Sequence, residues 1–248
     1  MCKFLTVAAF LAVLSLATPG QTADELIGKY IKTIGGLEKL QAIKSIRSTG
    51  KLNGGGGFEV IIVSEKKRPN DLRQEFSLQG MTAVSAYDGK NGWKINPFSG
   101  KKDAETLGEE ELKQVAEDSD FDGPLVNYAA KGNKIEYLGK EDYEGSDVYK
   151  LRVTLGNGTV KYYFLDTDYY VPIKIETKQI NRGTEYEFET ILGDYKDAGG
   201  VYFPFSIESG VKGNPNRSTV TIEKIEIDPA IDDSRFAMPK SPTGPRTN

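Results

Sequence analysis

From Lys134 to Ile227 apolar and polar residues alternate in runs separated by Gly- or Asn-marked turns. Tyr149, Leu151, Val153 and Leu155 alternate with Lys150, Arg152 and Thr154, and Val171, Ile173 and Ile175 with Pro172, Lys174 and Glu176. Tyr186, Phe188 and Thr190 then alternate with Glu185, Glu187 and Glu189, and Val201, Phe203, Phe205 and Ile207 follow with the same period. A period of two predicts strands with one apolar face. On this reading Val171, Ile173 and Ile175 share a side with Tyr186 and Phe188, while Lys174 and Glu176 face water. After Val220 and Ile222 the apolar phase shifts at Lys224 to Ile225 and Ile227, which predicts a bulge.

The strand pattern begins earlier, at Ser45. Phe58, Val60 and Ile62 follow a glycine-rich connection, Gly54 to Gly57. Leu72, Phe76 and Leu78 follow Pro69, and Met81 to Tyr87 forms the next run. Asp88-Gly89 and Asn91-Gly92 are tight-turn dipeptides, with Trp93, the single tryptophan, just beyond them. So many half-apolar antiparallel strands make a wide sheet whose greasy side needs cover.

Little of the chain reads as helix. Thr22-Ala23-Asp24-Glu25 fits a capping box ahead of Leu26, Ile27, Tyr30, Ile31 and Ile34, predicting a helix from about Ala23 to Ile34 that stops at Gly35-Gly36. A second short helix is expected from Leu37 to Ile43. Leu26, Tyr30 and Ile34 are the candidate plug of the concave side.

Lys101 to Lys131 breaks the strand rhythm. Thr106-Leu107-Gly108-Glu109 fits a second capping box, with Leu112 and Val115 at helical spacing, and Asp122 is placed to cap a further helix carrying Pro124 and Leu125. This stretch reads as a helical flap, with Leu107, Leu112, Val115 and Leu125 as the candidate lid. Because these helices are too few to cover the sheet, the expected fold is mainly β with a partly open apolar cavity of lipid size. Its candidate lining is Phe58, Val60, Ile62, Phe76, Leu78 and Trp93 from the first half. Tyr149, Leu151, Val171, Ile173, Tyr186, Phe188, Phe203 and Phe205 come from the second half.

The first residues change the setting. Met1 to Ala17 combines Lys3, an apolar stretch from Phe4 to Leu14 and the small-x-small Ser15-Leu16-Ala17, the pattern of a cleavable secretory signal peptide. Cleavage after Ala17 leaves Thr22 to cap the first helix; Ala23 is the alternative cut. Residues 18–238 read as one domain and 239–248, rich in Pro, Thr and Ser, as a disordered tail.

The chain carries a net charge of −4, has no histidine, and has one cysteine, Cys2, inside the leader. Zinc sites built from His and Cys, Ser-His-Asp triads and Cys-His dyads are excluded, as are disulfides of the mature chain. The mild acidic excess argues against nucleic acid as a partner. No cofactor is expected, and the remaining candidate chemistry is thin. Asp118, Asp120, Asp122 and Gly123 begin like a calcium loop, but Ala129 stands where the bidentate Glu belongs. Ser64-Glu65-Lys66-Lys67 spells Ser-x-x-Lys on a strand, where a helix is required. Glu185, Glu187 and Glu189 read as a solvated strand face. The reading is therefore of a non-enzymatic protein.

Three stretches, "ELIGKYIKTIGGLEKLQAIKSIRSTGKL", "PNDLRQEFSLQGMTAVSAYDGKNGWKINP" and "DGPLVNYAAKGNKIEYLGKEDYEGSDVYKLRV", followed by the closing "IDDSRFAMP", resemble the LolA-like superfamily of outer-membrane lipoprotein-sorting proteins. The resemblance runs from about Ala23 to Pro239. It implies an unclosed antiparallel β-barrel around short helices, a periplasmic location in a Gram-negative-type envelope, and a carrier of lipoprotein or lipid acyl chains; a monomer is expected. It also implies possible dealings with inner- and outer-membrane envelope proteins. The alternative it leaves open is an envelope sensor or scaffold on the same fold. The chain is some tens of residues longer than the smaller carriers, and neither group's functional residues match it position by position.

Overall fold

The computed structural model describes residues 21–54, 58–181 and 184–240, with the side chains of 179–184 left aside. The leader expected over 1–17 and residues 241–248 of the expected tail lie outside these residues. Thirteen antiparallel strands form one open sheet in the order β6-β5-β4-β3-β2-β1-β13-β12-β11-β10-β9-β8-β7. The first meander comprises β1 (Ser45–Asn53), β2 (Glu59–Lys67), β3 (Asp71–Leu78), β4 (Met81–Asp88), β5 (Gly92–Asn96) and β6 (Lys101–Thr106). The second comprises β7 (Lys134–Tyr143), β8 (Ser146–Thr154), β9 (Val160–Asp166), β10 (Pro172–Asn181), β11 (Thr184–Ala198), β12 (Val201–Val211) and β13 (Ser218–Ile227). They meet where β1 pairs with β13. This is the unclosed half-barrel that the alternation and the resemblance predict.

Three helices, α1 (Ala23–Thr33), α2 (Leu37–Ala42) and α3 (Glu109–Ser119), lie on one face, called the inner face below. Topology explains α3: the chain leaves the sheet at edge strand β6 and re-enters at the opposite edge, β7, so the connection must cross a face. The α1 start is the capping box read from sequence, with Glu25 N–H donating to Thr22 Oγ1 at 3.3 Å and Thr22 N–H to Glu25 Oε2 at 3.2 Å.

Two apolar clusters hold helices to sheet. Leu26 and Ile27 of α1 pack with Leu125, Tyr149, Leu151, Val153, Tyr163 and Leu165. Ile34, Leu40 and Ile43 pack with Phe121, Val126, Val171 and Val201. Burying each Leu-sized side chain contributes roughly 1.5–3 kcal/mol. The turn between α1 and α2 can approach the β11–β12 hairpin because Gly35 has no side chain: a Cβ there would lie 2.2 Å from the Gly200 carbonyl oxygen.

The bulge expected near Lys224 is present: Thr49 pairs with Lys224 and Gly50 with Ile222, leaving Glu223 as the extra residue. A side chain at Gly50 would run into Thr221 O, 2.2 Å from an ideal Cβ.

Several expectations need correction. Lys101–Thr106 is a strand, which pushes the α3 start to a Gly108 cap, with Gly108 N–H donating to Glu111 at 3.1 Å. After Asp122 the chain makes successive turns and forms no helix, with Asn127 at φ +51°. A second bulge lies between Pro172 and Lys174. Pro172 pairs with Leu165 and Ile175 with Tyr163, both inner-face residues, so Ile173 is the residue whose phase is lost.

Lys174 and Glu176 do face away from Ile175, but water does not surround them. Lys174 is only 9% exposed, pairs with Glu176 at 2.9 Å, and sits 4.0 Å and 4.6 Å from the ring centres of Phe164 and Tyr143. Glu189 of the acidic strand face is also buried, paired to Arg217 at 2.5 Å.

The outer face has its own cover. Residues after β13 cross it, placing Phe236 against β5, where Trp93 donates from Nε1 to Phe236 O at 2.7 Å. Buried Glu65 accepts from Arg47 at 2.8 Å and Arg235 at 2.5 Å, and Glu75 accepts from Arg73 and Arg235 at 2.7 and 3.0 Å.

Candidate functional site

The inner face of the first meander is banded along its strands. Near the helices, Ile46, Lys66, Leu72 and Tyr87 stand in register across β1 to β4, and Leu72 is completely buried. Two residues further along lies a polar row, Ser48, Ser64, Gln74 and Ser85, each half-buried. Beyond it come Ile62, Phe76 and Ala83 beside Gly50, then Leu52 with Val60 and Leu78 with Met81. Across the β1–β13 seam the apolar rows continue through Ile222 opposite Gly50, Val220 opposite Leu52, and Ile207 opposite Val220.

None of these outer-row apolar side chains is fully buried, and none belongs to a core cluster containing a helix residue. These rows form contiguous, half-exposed apolar surface.

Beneath the helices, next to the Ile46–Leu72 row, lies a cavity of about 380 Å³. Tyr30 of α1, Lys66 of β2, Tyr163 of β9, Ile175 of β10, Tyr195 of β11 and Phe203 of β12 line it, with Leu40 and Phe121. Burial pushes the Tyr30 hydroxyl up to about 12, aided by the Asp122 charge, and drives Tyr163 and Tyr195 upward as well. All three are neutral phenols at any ordinary pH. Tyr195 donates to Pro172 O at 2.6 Å.

Burial lowers the Lys66 ammonium, which donates to the Asp118 and Asp120 carbonyl oxygens at 2.5 and 3.4 Å. Arg68 grips Asp122 at 2.9 Å and lies 4.2 Å from the Phe121 ring centre, and Lys131 pairs with Asp120 at 2.5 Å. The three aspartates that open like a calcium loop are thus spoken for by Gln114, Lys131 and Arg68. Among the described residues no group of three or more His, Cys, Asp or Glu could hold a metal ion. Ser64 and Lys67 fall on opposite faces of β2, which removes the Ser-x-x-Lys reading.

The expected site residues divide between these places. Val60, Ile62, Phe76 and Leu78 stand on the open rows; Phe188 is half-buried on the inner side, and Tyr186 is 41% exposed beyond it. Tyr30 and Phe203 line the cavity. Tyr149, Leu151 and Val171 are core beneath α1 and α2, as are Leu26 and Ile34. Phe205 is buried under the Lys196 ammonium.

Trp93 belongs to the outer face, with Ala86 and Val84, and Phe58 precedes β2, 58% exposed. Of the expected lid, Leu107 and Leu112 lie against Gly92 and Val115 is buried, whereas Leu125 belongs to the main core because the segment carrying it packs under α1. The pattern gave no means of singling out Lys66, Tyr163 and Tyr195. Tyr163 lies in the run Tyr162-Tyr163-Phe164-Leu165, where every residue is apolar or aromatic and alternation cannot choose a side.

Among the described residues no helix is long and apolar enough to cross a membrane. No protein-family model and no curated protein sequence matches the chain. Solved structures do. A DUF1329 family protein from Desulfovibrio piger superposes with TM-score 0.58 at 10% identity, covering 87% of this chain and 97% of its own. A LolA superfamily protein from Nitrosomonas europaea gives 0.57 at 12%, covering 88% and 98%. A domain assigned to outer membrane lipoprotein sorting from Vibrio parahaemolyticus gives 0.55 at 11%, covering 86% and 97%. At these identities the likeness is one of architecture, and the chain has the LolA-like fold.

Proposed function

We propose that the protein is a non-enzymatic carrier that binds acyl chains of lipids or lipoproteins on the open rows of its inner face. The observation that carries this reading is the set of Val60 and Ile62 on β2, Phe76 and Leu78 on β3, and Val220 and Ile222 on β13, in register either side of β1 and left without helical cover. An acyl chain gains about 0.8 kcal/mol for each methylene removed from water, so an apolar trough suffices to hold it and no reacting group is required. The leader pattern supports a periplasmic setting, and the fold shared with a lipoprotein-sorting domain supports lipoproteins as clients in an outer-membrane sorting route.

The test is native mass spectrometry of protein prepared without detergent, together with titration of a fluorescent fatty-acyl probe. Bound lipid or lipopeptide mass is expected. Phe76→Asp should weaken the probe at least tenfold while the protein stays folded, because a carboxylate in the trough opposes the chain. Empty protein that ignores the probe would overturn the reading, and a stable stoichiometric protein partner found by crosslinking in cells would favour a sensor or scaffold in its place.

A further inference from the structure

The cavity beneath the helices differs from the trough in one respect that bears on the ligand. Tyr163 is 6% exposed and Tyr30 is half-buried, yet neither hydroxyl has a hydrogen-bond partner among the described residues, and both line the cavity. Tyr195 and Tyr128 show the ordinary arrangement, donating to Pro172 O at 2.6 Å and to Asp24 at 2.5 Å. Neither the Tyr30 nor the Tyr163 oxygen is sealed off, so each takes its partner from water or from a ligand in the cavity. The two border one space.

We propose that this cavity seats the ester or amide carbonyl that joins an acyl chain to its head group, with Tyr30 and Tyr163 donating to the carbonyl oxygen. The proposal rests on the acyl-binding reading and narrows it. Two observations point to the chemistry. The unmatched groups are phenolic hydroxyls, whose O–H proton is best matched by an acceptor on the ligand. The charges around the cavity already balance, Lys66, Arg68 and Lys131 against Asp118, Asp120 and Asp122. A free carboxylate would therefore bring a surplus negative charge beside Asp120 and Asp122. A neutral carbonyl brings none.

The cavity is also placed to share a ligand with the trough. Lys66 on its wall and Ile62 in the open rows are four residues apart on one face of β2, about 13 Å along a strand, with Ser64 between them. At 380 Å³ the cavity lies near the low end of small-molecule sites, roughly 300–1,000 Å³, room for a linkage and a short length of chain and not for a whole lipid.

The experiment is competition against a fluorescent acyl probe on the full protein by three ligands of equal chain length: methyl palmitate, palmitate and hexadecane. The ester should compete about tenfold better than the hydrocarbon, and better than the acid. Tyr163→Phe should remove most of that advantage while leaving hexadecane within about twofold, and Tyr30→Phe should do the same in part. In ligand-free protein the thermal midpoint of Tyr163→Phe should stay level or rise, since the lost hydroxyl had no protein partner; a hydroxyl with a structural role would lower it.

Equal binding of ester and hydrocarbon to the wild type overturns the proposal and leaves the acyl reading standing. So does preference for the acid that Lys66→Met abolishes. An unchanged ester advantage in both Phe variants means the cavity holds water only, which overturns it too. Failure of all three ligands to compete overturns the acyl reading and this proposal with it.

Discussion

Leu72 and Leu78 belong to the same strand and point to the same side of it, yet Leu72 is sealed from water and Leu78 is half-buried. The difference lies entirely in what crosses above them. The β6-to-β7 connection has to traverse the sheet, and α3 with the turns after it lands over the Leu72 end, where α3 packs on β3 and β4. Alternation therefore tells which face of a strand is apolar, while the path of the connection decides whether an apolar residue becomes core or stays open.

Substitution at the two ends should separate these roles. Leu72→Ala is expected to cost about 2–5 kcal/mol in denaturant unfolding, as truncation in a closed core does, with the folded fraction binding an acyl probe normally. Leu78→Ala should cost less than about 1 kcal/mol and yet weaken the probe. Equal destabilisation by both would mean that the open end is covered in solution.

A smaller effect is expected where cover meets sheet. Leu112 and Leu107 sit over Gly92, where an added Cβ would come within 3.0 and 2.5 Å of their methyl groups. Leu112→Asp should unseat α3 at a cost of about 2 kcal/mol. Amide exchange should quicken in α3 and stay unchanged in β7 to β9. Uniform quickening would make α3 part of the global core and would end its description as a lid.

The mildest test concerns the far end of α3. Burial alone would raise the Glu117 carboxyl, but hydrogen bonds from Thr159, Lys161 and Asn157 outweigh it and hold Glu117 below its ordinary value. A folded-state pKa below the unfolded one, about 4.3, stabilises the fold above that pH and loses its effect as acid is added. The stability gap between wild type and Glu117→Gln should accordingly be under about 1.5 kcal/mol at pH 6 and close toward pH 3 in a urea series. A gap that widened with acid would refute the anchoring.

Local chemistry was read well where one residue type has one job. Thr22 and Glu25 form their capping box, and the phase slip at Lys224 is a bulge. Sequence reasoning failed where tertiary cover reversed a local rule. Lys101–Thr106 carries no apolar alternation because it is an edge strand exposed on much of its length. Trp93 faces outward because the segment bearing Phe236 gives the outer face its own small core, a contact between residues far apart in the chain. Lys174 sinks because Tyr143, Phe164 and Glu176 surround it, and no pattern along β10 announces them. The open rows were foreseen as strand residues, but only the helix placement separates Ile62 and Phe76 from Tyr149 and Leu151.

The seam between β1 and β13 carries an entropic consequence. Every other strand pair joins neighbours in sequence, so each meander can zip locally, hairpin by hairpin. The seam alone needs the start and the end of the chain together, and its register depends on Glu223 bulging out opposite Gly50. Closing so long a loop costs more chain entropy than any hairpin in either meander. The pairing that unites the two halves, Ile62 with Ile222 across Gly50, therefore carries the largest loop-closure cost of any strand pair among the described residues. Without it, β1 and β13 would each be left as an open sheet edge.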